Sequence, residues 1–286
     1  MTVVIPVEVK VREFQNRIYL AKNILTKTNH DVILGSQKDI QWKLSFFNCI
    51  YLDKGSGTLL VNVLNTIKKN KNKIYQLEEE GPIYSMSNFQ KKLRYPKKIF
   101  SLVDHFFLWG KKDYDFISKN KNKNALTISG HPKFDLLKKK NSKIFEKDIK
   151  KIKKKYGDFI FFSSSFSEDH LMDIKTYNRY AQSFLPGNKK GFTKLLKKSE
   201  NFNKNYFFAI EMLKKLAKKK KNIKIIFRPH PGQDLEKVKN RFAGYDNIIV
   251  TKKECITPWI IASDLYIHAG CTTVFEAQKL KKKIIL

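Results

Sequence analysis

Two stretches decide the fold: Asn222-Ile-Lys-Ile-Ile-Phe-Arg-Pro-His-Pro231 and Asp264-Leu-Tyr-Ile-His-Ala-Gly-Cys-Thr-Thr-Val-Phe-Glu-Ala277. Each opens with a short apolar run and ends in a polar cluster. Between them lie a polar helical segment, a third apolar run at Asn247-Ile-Ile-Val-Thr251, and Thr257-Pro-Trp-Ile-Ile-Ala-Ser263. Short apolar runs alternating with helical patterns predict βαβ units on a parallel sheet. Ligands of open α/β sheets sit outside the carboxyl ends of the strands, where Arg228-Pro-His-Pro231 and His268-Ala-Gly-Cys-Thr-Thr273 fall.

The second cluster has the chemistry of a phosphate seat. Gly270 permits a tight strand-to-helix turn, and Thr272 and Thr273 bring hydroxyl and N–H donors to a helix N-terminus, where free amides and the dipole favour anions. Glu276, one turn later, is placed to accept hydrogen bonds from a ribose. The same residues also fit a plain helix start, with the threonines as caps and Glu276 as their capping-box partner.

At 286 residues the chain has room for two domains, each with its own core. No run of about 18 apolar residues predicts a transmembrane helix, and Met1-Thr-Val-Val-Ile-Pro6 lacks the pattern of a signal peptide. Cys49, Cys255 and Cys271 are widely spaced and form no CxxC, which predicts a reduced, cytoplasmic protein without a disulfide framework or zinc site. The net charge of +32 comes from lysine scattered over helices and loops. It travels with Asn, Ile and Phe, as A/T-rich coding produces. No Arg-rich, aromatic-interleaved stripe points to nucleic acid. The charge predicts attraction to anionic membrane surfaces or phosphorylated substrates.

Working outward, the N-terminal half repeats the same punctuation. Strands are expected at Val3–Val7, Asp31–Gly35, Cys49–Asp53, Lys73–Leu77, His105–Gly110 and Ala125–Gly130. A helix is expected from Glu13 to Thr26 with Phe14, Ile18, Leu20, Ala21, Ile24 and Leu25 on its apolar face. Gly55-Ser-Gly57 is not GxGxxG and reads as a turn. Glu78-Glu-Glu-Gly81 closes the fourth strand. Gly130-His-Pro-Lys-Phe-Asp135 opens a helix in which His131 fits either a substrate contact or a structural helix start. The lysine-rich stretch 138–157 reads as a solvated helix and linker. It divides a Rossmann-like domain at 1–155 from a second at 156–286. The second opens with Phe159-Ile-Phe-Phe162, its carboxyl end at Ser163-Ser-Ser165, so Ser164 and Ser165 are candidate ligand contacts. An irregular segment at 166–200, with an insertion around Leu185-Pro-Gly-Asn188, precedes a helix from Phe202 to Lys220. Lys283-Ile-Ile-Leu286 reads as a strand just begun, which suggests a truncated chain.

Ile5-Pro-Val-Glu-Val-Lys-Val-Arg-Glu13, Glu79-Glu-Gly81, Gly130-His-Pro-Lys-Phe-Asp135, Arg228-Pro-His-Pro231 and His268–Thr273 with Glu276-Ala277 resemble the bacterial surface carbohydrate biosynthesis proteins. Glu79-Glu80-Gly81, His230-Pro231 and Thr272-Thr273, in that order, resemble the motifs of bacterial sialyltransferases and related CMP-sugar transferases, with Thr-Thr where those carry Ser-Ser or Ser-Thr. The C-terminal half is also similar to CDP-glycerol glycerophosphotransferases and nonhydrolysing UDP-N-acetylglucosamine 2-epimerases. These resemblances imply an α/β GT-B-like fold, two Rossmann-like domains with parallel sheets facing across a cleft. They imply an inverting glycosyltransferase using a nucleotide-activated sugar, a CMP-linked nonulosonate or Kdo-type acid, with a glycan or lipid-linked glycan acceptor. A sugar-nucleotide 2-epimerase, a glycerophosphotransferase and a non-catalytic binding module remain alternatives. On this reading Glu79 is the base, its pKa raised by Glu78 and Glu80. His230 assists the leaving phosphate and Arg228 is a fixed positive charge. His268, Gly270, Thr272, Thr273, Glu276, Ser164, Ser165, Gly130 and His131 line the substrate. No Asp-x-Asp stands at a strand end, so neither a metal ion nor a cofactor is expected.

Overall fold

Val3, Val4 and Ile5 are all buried, so β1 (Thr2–Val7) is covered on both faces, as a strand inside a parallel sheet must be. The structure, a computed structural model, describes residues 1–42, 48–55, 57, 61–86, 88–166 and 189–285. The chain divides into two units, Met1–Asn141 and Ser142–Leu286.

In the first unit β1 is followed by α1 (Lys10–Lys27), β2 (Asp31–Ser36), α2 (Gln37–Trp42), β3 (Ile50–Asp53), α3 (Val61–Lys69) and β4 (Lys73–Leu77). Then come α4 (Asn88–Arg94), α5 (Lys97–Leu102), β5 (His105–Leu108), α6 (Lys111–Ile117), β6 (Leu126–Ile128) and α7 (Pro132–Leu136). The six strands run parallel in the order β2-β1-β3-β4-β5-β6. The pairing of β1 with β3 covers Val3 and Val4 and stops before Pro6, so the missing proline N–H costs that ladder nothing. One face of the sheet packs under Val4, Leu64, Ile74, Ile99, Phe106 and Ile117; the other packs under Ile5, Ala21, Leu52 and Leu77.

The second unit holds α8 (Glu146–Tyr156), β7 (Phe159–Ser163), α9 (Lys189–Lys219), β8 (Lys224–Arg228), α10 (Leu235–Arg241), β9 (Ile248–Val250), α11 (Ile256–Ala262), β10 (Leu265–His268), α12 (Val274–Lys279) and β11 (Ile284–Ile285). Its five parallel strands are ordered β11-β10-β7-β8-β9. Aromatic rings fill both faces. Phe162 stacks on Phe227 at 5.1 Å on one side, and Phe161 lies against Trp259 and Tyr266 on the other.

Three expectations change. The division falls between Asn141 and Ser142, not near 155, because Ile152 of α8 packs against Trp259 and Ile260 of the second unit. The helix expected from Phe202 begins at Lys189, so 189–200 is helical, whereas residues 167–188, including the insertion at 185–188, lie outside the described residues. The buried positions of α1 are Glu13, Asn16, Arg17 and Ala21. Ile18 and Leu25, read as its apolar face, are 40% and 56% exposed. That helix turns a polar stripe inward because charged partners at the strand ends await it.

Candidate functional site

In an open parallel sheet, the crevice for a ligand opens where strand order reverses. The second unit's chain runs β7 to β8 to β9 in one direction and then returns to β10 and β11 on the other side of β7. Its switch point therefore lies between β7 and β10. Register sets His268 opposite Ser163 and Ser163 opposite Arg228. Three separately predicted clusters thus end on one line across three neighbouring strands.

Side chains knit these ends together. The Tyr266 hydroxyl lies 2.5 Å from Ser163 Oγ and 2.5 Å from Thr273 Oγ1, and Thr273 Oγ1 is 3.0 Å from Cys271 Sγ. Ser165 Oγ donates to the Ala269 carbonyl, while the Ser164 amide donates to the Arg228 carbonyl at 2.9 Å and Ser164 Oγ accepts from the Phe166 amide. Gly270, at φ +72°, makes the turn into α12. Thr272 is exposed there, and Glu276 is buried and accepts from Thr257 Oγ1 at 2.7 Å. Burial raises the Tyr266 phenol, which stays protonated as a donor.

Three histidines share one device. The ring Nδ1 accepts the amide of the residue two positions on: Lys133 for His131, Gly232 for His230 and Gly270 for His268. An Nδ1 that accepts cannot carry the proton of a neutral ring, so that proton sits on Nε2 and makes it a donor. Burial lowers the His268 pKa, which keeps that ring neutral. His230 is half-buried, its own amide held by Gln233 Oε1 at 3.0 Å. Arg228 is held in place by backbone carbonyls. Its guanidinium donates to the carbonyls of Lys252, Lys253 and Glu254 and pins the loop after β9, and burial lowers its pKa to about 10.

The first unit gathers charge at its own strand ends. Glu79 is 1% exposed. Its Oε1 accepts from Asn16 Nδ2 at 2.8 Å, and its Oε2 lies 3.1 Å from both His131 Nε2 and Arg17 Nη2. Burial opposes its charge, but His131, Arg17 and Lys133 outweigh that and hold the carboxyl well below its usual range. The raised pKa expected for Glu79 is thus reversed. It is Glu78 whose carboxyl is raised, to about 7, by burial working against Arg94. Glu78 takes Tyr95 Oη at 3.1 Å, the Glu80 amide and Arg94. Glu78 and Glu79 are both buried, and the Glu80 side chain is 40% exposed beside Arg12. His131 is buried, caps α7 and holds a pKa lowered to about 4, chiefly by burial. Gly130, φ +71° with open space where a Cβ would stand, serves the turn.

The sequence reading missed Tyr266, Asn16, Arg17 and Lys54. Lys54 is a buried lysine paired with Glu8 and, at 3.2 Å, Glu13. Polar residues at 13, 16 and 17 recur at helical spacing, and that stripe was the available signal.

No protein-family model matches the sequence, and no curated protein matches it. Solved structures do. One is an S. aureus MnaA–UDP structure, at 11% identity and TM-score 0.62, covering 99% of this chain and 77% of that one. Another is UDP-GlcNAc 2-epimerase from Neisseria meningitidis bound to UDP-GlcNAc, at 12% identity and TM-score 0.59, covering 100% and 82%. A third is the wall teichoic acid polymerase TagF carrying H548A, at 10% identity and TM-score 0.56, covering 99% and 69%. At such identities the likeness establishes the fold: GT-B-like, with two Rossmann-like units in one chain.

Proposed function

We propose that the protein is a glycosyltransferase of bacterial surface carbohydrate synthesis, acting on a nucleotide-activated sugar without a metal ion. The observation that carries this reading is the switch point between β7 and β10, where Ser163–Ser165, Arg228–Pro231 and His268–Thr273 end side by side. The nucleotide belongs to the second unit. Its phosphate takes Nε2–H donors from His230 and His268 and the hydroxyl of Thr272, while Glu276 receives the ribose. Neutral N–H and O–H donors aimed at a leaving phosphate stabilise the charge that develops on it. The first unit serves the acceptor, a glycan or lipid-linked glycan. There Glu80, the exposed member of the acidic turn, is the carboxylate able to reach a hydroxyl, and Glu79 is the buried charge that positions His131 and Arg17. The chain's positive charge favours anionic membrane surfaces at the cytoplasmic face over nucleic acid.

A second reading, sugar-nucleotide 2-epimerisation, is favoured by the likeness to structures of proteins named for that activity. Four carboxylates, Glu8, Glu13, Glu79 and Glu80, gather in the first unit, and epimerisation needs several acid and base groups about one sugar.

The two readings part in heavy water. A transferase releases nucleotide from its sugar donor when a hydroxyl acceptor is present, and Glu80→Gln slows that release on the order of 10²-fold. An epimerase instead incorporates deuterium at C2 of UDP-GlcNAc with no acceptor. If CMP-, CDP- and UDP-sugars all come through unchanged with acceptor supplied, both readings fall.

A further inference from the structure

We propose that the outer face of α9 is a docking surface for an anionic lipid bilayer. α9 already buries its own apolar face: Tyr206, Ala209, Ile210, Leu213 and Ala217 pack beneath it in the second unit's core. Yet Phe207 and Phe208 point away from that core, 48% and 74% exposed. Single exposed apolar residues are ordinary on protein surfaces. Two adjacent Phe rings in a basic stripe are a different observation.

At helical spacing Phe207 and Phe208 share their side of α9 with Lys204, Glu211, Lys215, Lys218 and Lys219, all exposed. Among the described residues two acids stand in that stripe, Glu200 and Glu211, and Glu211 is already paired with Lys214 at 2.9 Å. From α10, the Arg241 guanidinium lies 5.0 Å from the Phe207 ring centroid and adds a further cation. Aromatic rings ringed by lysine, with the balance of charge positive, match the layering of a bilayer interface. Rings enter the acyl boundary while ammonium groups, on long apolar stems, stay among the headgroup phosphates. A second copy of this chain is a poor occupant, because each copy carries a net charge of +32 and would repel its partner. The inference does not depend on which sugar-nucleotide reaction the protein performs.

Co-sedimentation of the full chain with vesicles tests it, using phosphatidylcholine alone and phosphatidylcholine mixed with phosphatidylglycerol. The expected result is binding to the mixed vesicles that weakens as salt rises. Replacing both rings, Phe207→Ser with Phe208→Ser, is expected to weaken that binding about tenfold or more, with the thermal midpoint unchanged. A Phe208→Trp chain adds a readout independent of the double variant's folding: its emission shifts blue on mixed vesicles by more than that of the wild type. Wild-type binding by the well-folded double variant overturns the proposal, since scattered charge would then suffice. So does emission from the Phe208→Trp chain that the vesicles leave unmoved. A dimer that the double substitution dissociates would assign the face to a second copy and equally overturn it.

Discussion

Glu78 and Glu79 are sequence neighbours at the end of β4, and although burial works against the charge of both, their carboxyls shift in opposite directions because their partners differ. Glu79 meets Arg17, His131 and Asn16, and stays ionised. Arg17 has no hydrogen-bond partner for Nε or Nη1 among the described residues, so its charge leans on Glu79. Breaking a buried pair leaves an uncompensated charge. Glu79→Gln is therefore expected to destabilise the first unit by about 3 kcal/mol, measured by urea denaturation; a loss under about 1 kcal/mol would show that Arg17 finds another partner. A pH signature follows from the neighbouring groups. His131 takes a proton only near pH 4 when folded but near 6.5 when unfolded, so its contribution is complete above 6.5 and lost as pH falls. Glu78 is raised from 4.5 to about 7, so its contribution is complete below 4.5 and lost as pH rises. Between 4.5 and 6.5 the two slopes oppose each other. His131→Asn keeps a cap for α7 and removes one slope. Compared with the wild type, its denaturation midpoint should fall progressively as pH rises through that window; parallel curves would refute the assignment.

Among the elements, the strands were the most legible. Val-Val-Ile at 3–5 and Phe-Ile-Phe-Phe at 159–162 are continuous apolar runs, and only strands covered on both faces use them at that length. Helices α4, α5 and α6 were not legible, being six or seven residues long, with no side-chain cap to mark α5 or α6. The inner face of α1 was misread because its partners lie far along the chain: Asn16 is 63 residues from Glu79. The strand-end clusters at 163–165, 228–231 and 268–273 were legible because polar residues after an apolar run stand out. Their mutual register was not, since strand order is invisible in one sequence. Turns carry a prediction of their own. A Cβ on Gly55, φ +85°, would stand 2.2 Å from Glu78 Oε2, and Arg94 and Tyr95 fix that carboxyl in place. A Cβ on Gly130, φ +71°, meets open space. Gly130→Ala should cost about 1–2 kcal/mol of backbone strain. Gly55→Ala should cost clearly more. Equal losses in thermal or urea unfolding would contradict the packing of Glu78.

Across the whole molecule, each unit carries one parallel sheet whose strand order reverses once, and open α/β sheets form their ligand crevice at such a reversal. In the second unit that crevice is bordered by donors with fixed tautomers. We propose that a sugar nucleotide is held there, which hydrogen–deuterium exchange on the full chain with and without UDP, CDP or CMP puts to the test. At least one nucleotide is expected to slow exchange at 163–166, 230–233 and 268–276 together, because a ligand at the β7/β10 reversal covers all three strand ends at once. Slowed exchange confined to the first unit, with those three segments unchanged by a nucleotide that demonstrably binds, would contradict it.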